Sequence, residues 1–452
     1  MNTLQVGFSR VNITPMLGAR LIGYYVERFA DGVLDEMEIN TLALSCGERK
    51  VLLMSVDHLG MSGAILDGFR KHIQEVTGVP ADHVLIHSTH SHTGPWVDPE
   101  SENVLAREYH QFLHNKMADG AVLALADLKP AKMGYAVGKA PNIAFVRRFR
   151  MKDGSVRTNP GVGNPDILHP LGDVNENVNV LRFDREGGDT IVLANFGCHP
   201  DTVGGNQISA DWPGFFRRRL EKSLDNTKAI FFNGAEGDVN HVNVWPTAGD
   251  HNDLTRDFDD VDRGYGHARH MGNVVAAGVL QVFDKVNFVE VDRLRSVQKV
   301  IKLASNKPNP EDLPQAQKYY DLHMAGRDDE IPFKGMALTT VVSEAMNMLE
   351  MAKAPDAFDL MLSAVTIGNV AIVGIPGEPF NGVGVALQQT PGWDLALTCC
   401  LTNGYEGYFP MKDAYDEGGY EARHSRYKAG VAENIIHESI ALLESMRSDK
   451  TR

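Results

Sequence analysis

His90 and His92 alternate at the end of an apolar run, Val84-Leu85-Ile86-His87-Ser88, which breaks at Gly94-Pro95. Residues i and i+2 of an extended segment share a face, so both imidazoles can enter one small volume. That is the geometry of a metal site, or of two hydrogen-bonded histidines at a strand end. Four further apolar runs hand over in the same way to loops rich in glycine, proline and polar residues. They lead to His199, to Glu236 and Asp238, to Glu378 in Pro376-Gly377-Glu378, and to Tyr405 and Tyr408. In α/β proteins ligands sit beyond the carboxyl ends of strands, because the strands fix the loop roots and the helices leave a crevice there. The spacing therefore predicts one composite site.

Two histidines and a carboxylate are a familiar ligand set for catalytic zinc, in which the position left open is the reactive one. With Glu378 as the carboxylate, such a site stays net cationic and favours a developing oxyanion. The same residues also admit structural roles: Glu378 can pair with an arginine, and the tyrosines can be buried hydroxyls. The basic stretch Arg147-Arg148-Phe149-Arg150 reads as a solvated turn or as a clamp for substrate oxygens.

The elements that must position these groups read as strands over 84–88, 190–196, 229–232, 370–375 and 393–400, with amphipathic helices at 62–76, 104–128 and 425–446. Hairpins recur, which excludes the regular strand-helix alternation of an eightfold barrel. The fold class expected is α/β, a mixed β-sheet core with surrounding helices. A single catalytic domain spans 1–452, with a peripheral helical excursion at 304–358. Thr93-Gly94-Pro95 after the histidine pair excludes the Asp-His continuation of a metallo-β-lactamase.

Hydrophobic residues at 43% and charged residues at 23% describe a globular chain with a sizeable core. The formal charge of −15, from 44 basic and 59 acidic residues, argues against a nucleic-acid surface. No apolar run is long enough to span a membrane, and Met1 leads directly into patterned sequence without a leader. Four cysteines without a C-x-x-C pair read as reduced thiols, so a cytoplasmic location is expected.

Several motifs occur in order: Asn12-Ile13-Thr14-Pro15, Ser88 through Pro95, Ser209-Ala210-Asp211-Trp212-Pro213-Gly214, Gly237-Asp238-Val239-Asn240, Pro376-Gly377-Glu378, and Asn403 through Ala422. Together they resemble the neutral/alkaline non-lysosomal ceramidases, zinc-dependent amidohydrolases that cleave N-acyl sphingosine. The resemblance implies a neutral-ceramidase-like catalytic domain, here without the C-terminal immunoglobulin-like domain. It implies Zn2+ held by His90, His199, Glu378 and Tyr408, the last counted back from Tyr420. His92 becomes a polar catalytic neighbour. Asn240 stands where the family carries a serine; it can donate to an oxyanion but cannot act as a nucleophile.

The reading that follows is a zinc-dependent hydrolase of an amide (N-acyl) bond working through metal-activated water. His92, Asp238 and Asn240 are its catalytic residues; Arg147, Arg148, Tyr405 and Tyr420 contact substrate. A second, structural Ca2+ or Mg2+ is a further expectation, and the partner is a small molecule or lipid. Two other readings fit the same residues: metal-dependent hydrolysis of a carbohydrate-type or other small polar substrate, and a non-catalytic ligand-binding protein on the same fold.

Overall fold

The computed structural model describes residues 3–249, 264–334 and 336–448. Its centre is a nine-stranded mixed sheet. Eight strands follow in spatial order: Thr227–Asn233, Thr190–Phe196, Asn177–Arg185, Lys129–Lys139, Leu4–Asn12, Glu38–Cys46, Arg49–Val56 and Val84–Ser88; Asn287–Val289 pairs beside Lys129–Lys139. A second sheet holds Leu294–Ala304, Ala357–Ile367, Val370–Gly374 and Leu395–Cys399 in that order.

The two sheets stack face to face. Leu42, Leu53, Leu85, Leu193 and Phe232 of the large sheet share one buried cluster with Val365, Ile367, Ile372 and Leu397 of the small one. Alternate residues face the other way: Val84 and Ile86 meet Leu66, Phe69 and Ile73 of the Gly63–Thr77 helix and Leu113 and Met117 of the Val104–Ala126 helix. Val192, Ala194 and Phe231 meet Trp212 and Phe216 of the Asp211–Ser223 helix and Val275 of the Tyr265–Leu280 helix. The outer face of the small sheet is covered by the Asn381–Gln388 and Val431–Ser448 helices. The result is a four-layer sandwich of helices, sheet, sheet and helices. It explains why Arg49–Val56 is buried at every position from Val51 to Val56, since both faces of the strand are covered.

Within these two sheets three pairs of neighbouring strands run parallel: Arg49–Val56 with Val84–Ser88, Thr190–Phe196 with Thr227–Asn233, and Val370–Gly374 with Leu395–Cys399. Parallel pairs release their following loops at the same sheet edge, which is what gathers the site. Residues 304–358 contain the Leu313–Met324 and Met336–Lys353 helices, packed together around Leu322, Ile331 and Val342. They touch the Tyr420–His424 helix through Ser343, 3.2 Å from His424, and Asn347, which donates to the Arg423 carbonyl.

Candidate metal centre

Past Ser88 the chain is held by two backbone bonds, Thr89 N–H to Val56 O and His90 N–H to His58 O. His90 takes a left-handed conformation with φ of 78°, which turns its ring out of the strand line. For a residue with a Cβ this costs on the order of 1–2 kcal/mol, offset here by hydrogen bonds at both the backbone and the ring. Its Nδ1 lies 2.7 Å from Leu59 O, that of His92 2.9 Å from Gly23 O, and that of His199 2.9 Å from Glu236 O and 3.1 Å from Val239 O. A carbonyl only accepts, so each Nδ1 carries the proton and each Nε2 presents a lone pair. Gly23 must be glycine: its φ is +106°, and a Cβ there would stand 2.8 Å from the His92 ring.

Glu378 arrives from the small sheet. Its Oε2 lies 3.1 Å from His199 Nε2 and 3.6 Å from His90 Nε2, all three side chains being about 1% exposed. Two ligands about 2.1 Å from a tetrahedral ion stand about 3.4 Å apart, so the spacing is that of a shared cation. Neither Glu378 oxygen nor His90 Nε2 has a hydrogen-bond partner. His199 Nε2 has one lone pair and two neighbours, Arg147 Nη1 at 3.2 Å, which donates, and Glu378 Oε2, which accepts. No single protonation state satisfies both. A buried carboxylate set against imidazole lone pairs is incompletely satisfied, and a cation at the centre satisfies all three groups at once. Burial pushes the Glu378 carboxyl up, but His90, His199 and Arg147 outweigh it and hold it at about 2. For His199, burial and Arg147 lower the pKa while Glu236 and Glu378 raise it and prevail. The chemistry of the donor set therefore fits a metal ion.

Two overlapping groups have ligand atoms within 4.8 Å of one another, His90 with His92 and His199, and His90 with Glu236 and Glu378. Tyr408 is paired with Glu378 across a two-residue parallel ladder, and Arg147 lies over its ring at 5.5 Å. Tyr405 stands 6.2 Å, ring to ring, from His90 and is 37% exposed. The Tyr25 hydroxyl donates to that of Tyr420.

The two arginines separate. Arg147 is buried, with Nε donating to Glu421 Oε1 at 2.7 Å, Nη2 to Gly237 O at 2.8 Å, and Nη1 turned to His199. Arg148 points elsewhere, to Glu417 and the Gly418 carbonyl. Asp238 accepts from the Asn381 N–H at the first turn of the Asn381–Gln388 helix, and burial raises its carboxyl to about 6 despite that bond. Asn240 donates to Asn159 Oδ1 at 3.0 Å and accepts from Val242 N–H. Both thus have protein partners one contact out from the histidines. Among the described residues, no His/Cys/Asp/Glu group separate from His90 converges in the way a second cation would need. The four cysteines are buried and free. Among the described residues no helix is long and apolar enough to cross a membrane.

Sequence reasoning gave no role to Glu421, the fully buried partner that holds Arg147, although it lies in the Asn403-through-Ala422 motif, nor to the carbonyls of Gly23 and Leu59 that orient the rings. Backbone acceptors leave no trace in residue type.

No family model matches the sequence, and no curated protein matches it. Solved structures do. Neutral ceramidase from Pseudomonas aeruginosa superposes with a TM-score of 0.73 at 14% identity, over 99% of this chain and 75% of that one. A ceramidase complexed with C2 gives 0.69 at 15% identity, over 98% and 76%. The chain therefore has a neutral-ceramidase-like fold, a mixed-sheet α/β architecture whose loop ends bring His90, His199 and Glu378 together.

Proposed function

We propose that residues 1–452 form one catalytic unit, a zinc-dependent hydrolase of an amide (N-acyl) bond in a ceramide-like lipid. The observation that carries this is the meeting of His90 Nε2, His199 Nε2 and the Glu378 carboxylate at 3.1–3.6 Å in a buried site. Tyr408, in register with Glu378, is the fourth ligand of the reading. Nitrogen and oxygen donors of this kind suit zinc. When bound, the ion supplies Lewis acidity, making a water more acidic and polarising the acyl carbonyl.

The chain's own residues do the remainder. Arg147, locked by Glu421 and Gly237, holds a cationic donor beside His199, where an acyl oxygen gains negative charge. His92, its Nδ1 proton directed at Gly23 O, offers Nε2 as the proton acceptor and passes that proton to the leaving amine. Tyr420 and Tyr405 are the substrate-contacting residues of the reading, while Asp238 holds the Asn381 N–H and Asn240 the Asn159 side chain. Tyr25, 44% exposed and bonded to Tyr420, and its neighbour Val26, 63% exposed, support an amphiphilic substrate. Buried free thiols support a reducing, cytoplasmic setting.

The test is metal content after dialysis and zinc reloading, followed by hydrolysis of N-acyl sphingosine and N-acyl sugars side by side. Stoichiometric zinc with release of fatty acid from the lipid supports the reading. Turnover of the sugar alone moves the substrate to a polar metabolite, and zinc uptake without hydrolysis of either leaves a binding protein.

A further inference from the structure

Glu236 is a second carboxylate at the centre, and it differs from Glu378 in how it is held. It is fully buried, and a carboxylate oxygen lies within 4.8 Å of ligand atoms of both His90 and Glu378. Both of its oxygens are engaged by donors: Oε2 by the Asn233 side-chain amide and Oε1 by the Cys400 thiol at 3.2 Å. Glu378, by contrast, faces the ligating nitrogens themselves, with Oε2 3.1 Å from His199 Nε2 and 3.6 Å from His90 Nε2. Oε2 of Glu236 sits 3.9 Å from Nδ1 of His199, on the side of the ring away from Nε2. The Glu236 loop is docked on the Glu378 turn, with Gly237 N–H donating to Pro379 O at 2.8 Å. A Cβ on Gly237 would stand 2.5 Å from the Glu378 carbonyl, so this approach requires glycine.

Placement then decides the role. Glu378 turns Oε2 to His90 Nε2 and His199 Nε2, at 3.6 and 3.1 Å, whereas Glu236 stands on the Nδ1 side of the His199 ring and is held there by Asn233 and Cys400. We propose that Glu236 is a positioning residue of the metal centre. It is the fixed anion behind His199 that sets the affinity for a divalent cation, while Glu378 is the ligand. This rests on the metal reading above. The His199 Nδ1 proton goes to the Glu236 and Val239 carbonyls, so the carboxylate at 3.9 Å acts through its charge, and loss of such an outer group costs metal affinity typically 10–100-fold.

The experiment titrates Zn2+ against a competing chelator in dialysed full-length protein, wild type and Glu236→Gln, with thermal melts of each with and without zinc. E236Q is expected to bind one zinc about 10–100-fold more weakly, to show a smaller zinc-induced rise in Tm, and to melt no lower than wild type without metal, because a buried anion is gone. Opposite movement of the two melts is something a merely structural glutamate would not produce. Unchanged zinc affinity in E236Q, with wild type binding zinc, overturns this inference alone. Wild type that takes up no zinc overturns the metal reading and this one with it. If E236Q does not fold, Glu236→Asp and Glu236→Ala make the same comparison. Retained affinity in E236D and weakened affinity in E236A are expected, and equal loss in both overturns the proposal.

Discussion

Glu378 and Tyr408 face each other across a parallel ladder only two residues long, Glu378–Pro379 against Tyr408–Phe409. The Glu378 N–H donates to Gly407 O at 2.9 Å and the Phe380 N–H to Phe409 O at 3.3 Å, so backbone bonds fix the two segments against each other. The Glu378 carboxylate is thus tied to the loop that bears the Tyr408 phenol.

Replacing Glu378 with glutamine keeps the shape and removes the charge. Bound zinc after dialysis is expected to fall by more than the roughly 10–100-fold typical of an outer residue, and the metal-free protein to melt at or above the wild-type temperature. Metal analysis and thermal melts check both; retained stoichiometric zinc in E378Q would sink the ligand assignment.

Arg147→Gln and Arg148→Gln separate chemistry from scaffold. Arg147 reaches His199, whereas Arg148 is tied to Glu417 and Gly418. Loss of one oxyanion donor costs about 100–1,000-fold in kcat, so R147Q is expected to show that loss with zinc retained. R148Q is expected to keep kcat within a few-fold and to unfold at lower urea. Equal losses of kcat in the two variants would contradict the division.

Asp57 and Arg217 form a buried two-bond pair, Nη1 to Oδ1 at 2.9 Å and Nη2 to Oδ2 at 2.5 Å, joining the end of the Arg49–Val56 strand to the Asp211–Ser223 helix. Truncating one partner strands the other charge, so Arg217→Ala is expected to cost about 3–5 kcal/mol in urea unfolding. The double change Asp57→Asn with Arg217→Met is expected to recover much of it. A loss under about 1 kcal/mol for R217A would show that water reaches the pair.

His87 gives stability a pH dependence. Its Nδ1 faces the Cys400 carbonyl at 2.7 Å and its Nε2 accepts from the Asn233 N–H at 2.9 Å, so the neutral ring is complete and has no room for a second proton. Burial drives its pKa down to about 3 despite the Cys400 bond. The unfolded histidine takes up a proton below about 6.5 and the folded one does not, so stability is full above that pH and is lost on acidification towards 3. At pH 5 the loss from this group is about 2 kcal/mol. Urea midpoints at pH 7 and pH 5 should show it, with a shallower fall in His87→Gln; identical slopes would refute the assignment.

Residue spacing carried a good part of the site. An H-x-H at a strand end, a histidine after a second apolar run and Pro-Gly-Glu after a third are local patterns, because a strand that ends in glycine and proline must release its next polar side chain at the sheet edge. Two of the three expected helices lie within two residues of their expected limits, Gly63–Thr77 closed by Gly78 at φ of 73° and Val104–Ala126 capped by Asn103, whereas the one expected at 425–446 begins at Val431. What the spacing left open was which polar groups face inward. Arg147 and Arg148 are adjacent and chemically identical, and only the ladder of Phe145–Val146 with Val239–Asn240, together with buried Glu421, sends one to His199 and the other to Glu417.

The sequence by itself determined the donor types, the α/β class and the loops on which the donors lie, since these follow from residue chemistry and local periodicity. Tertiary structure alone decided that two sheets stack into four layers, that Glu378 reaches 3.1 Å from His199, and that Glu236 stands behind that ring. Those relations depend on packing between strands far apart in the chain, and no local pattern of residues encodes a distance between them.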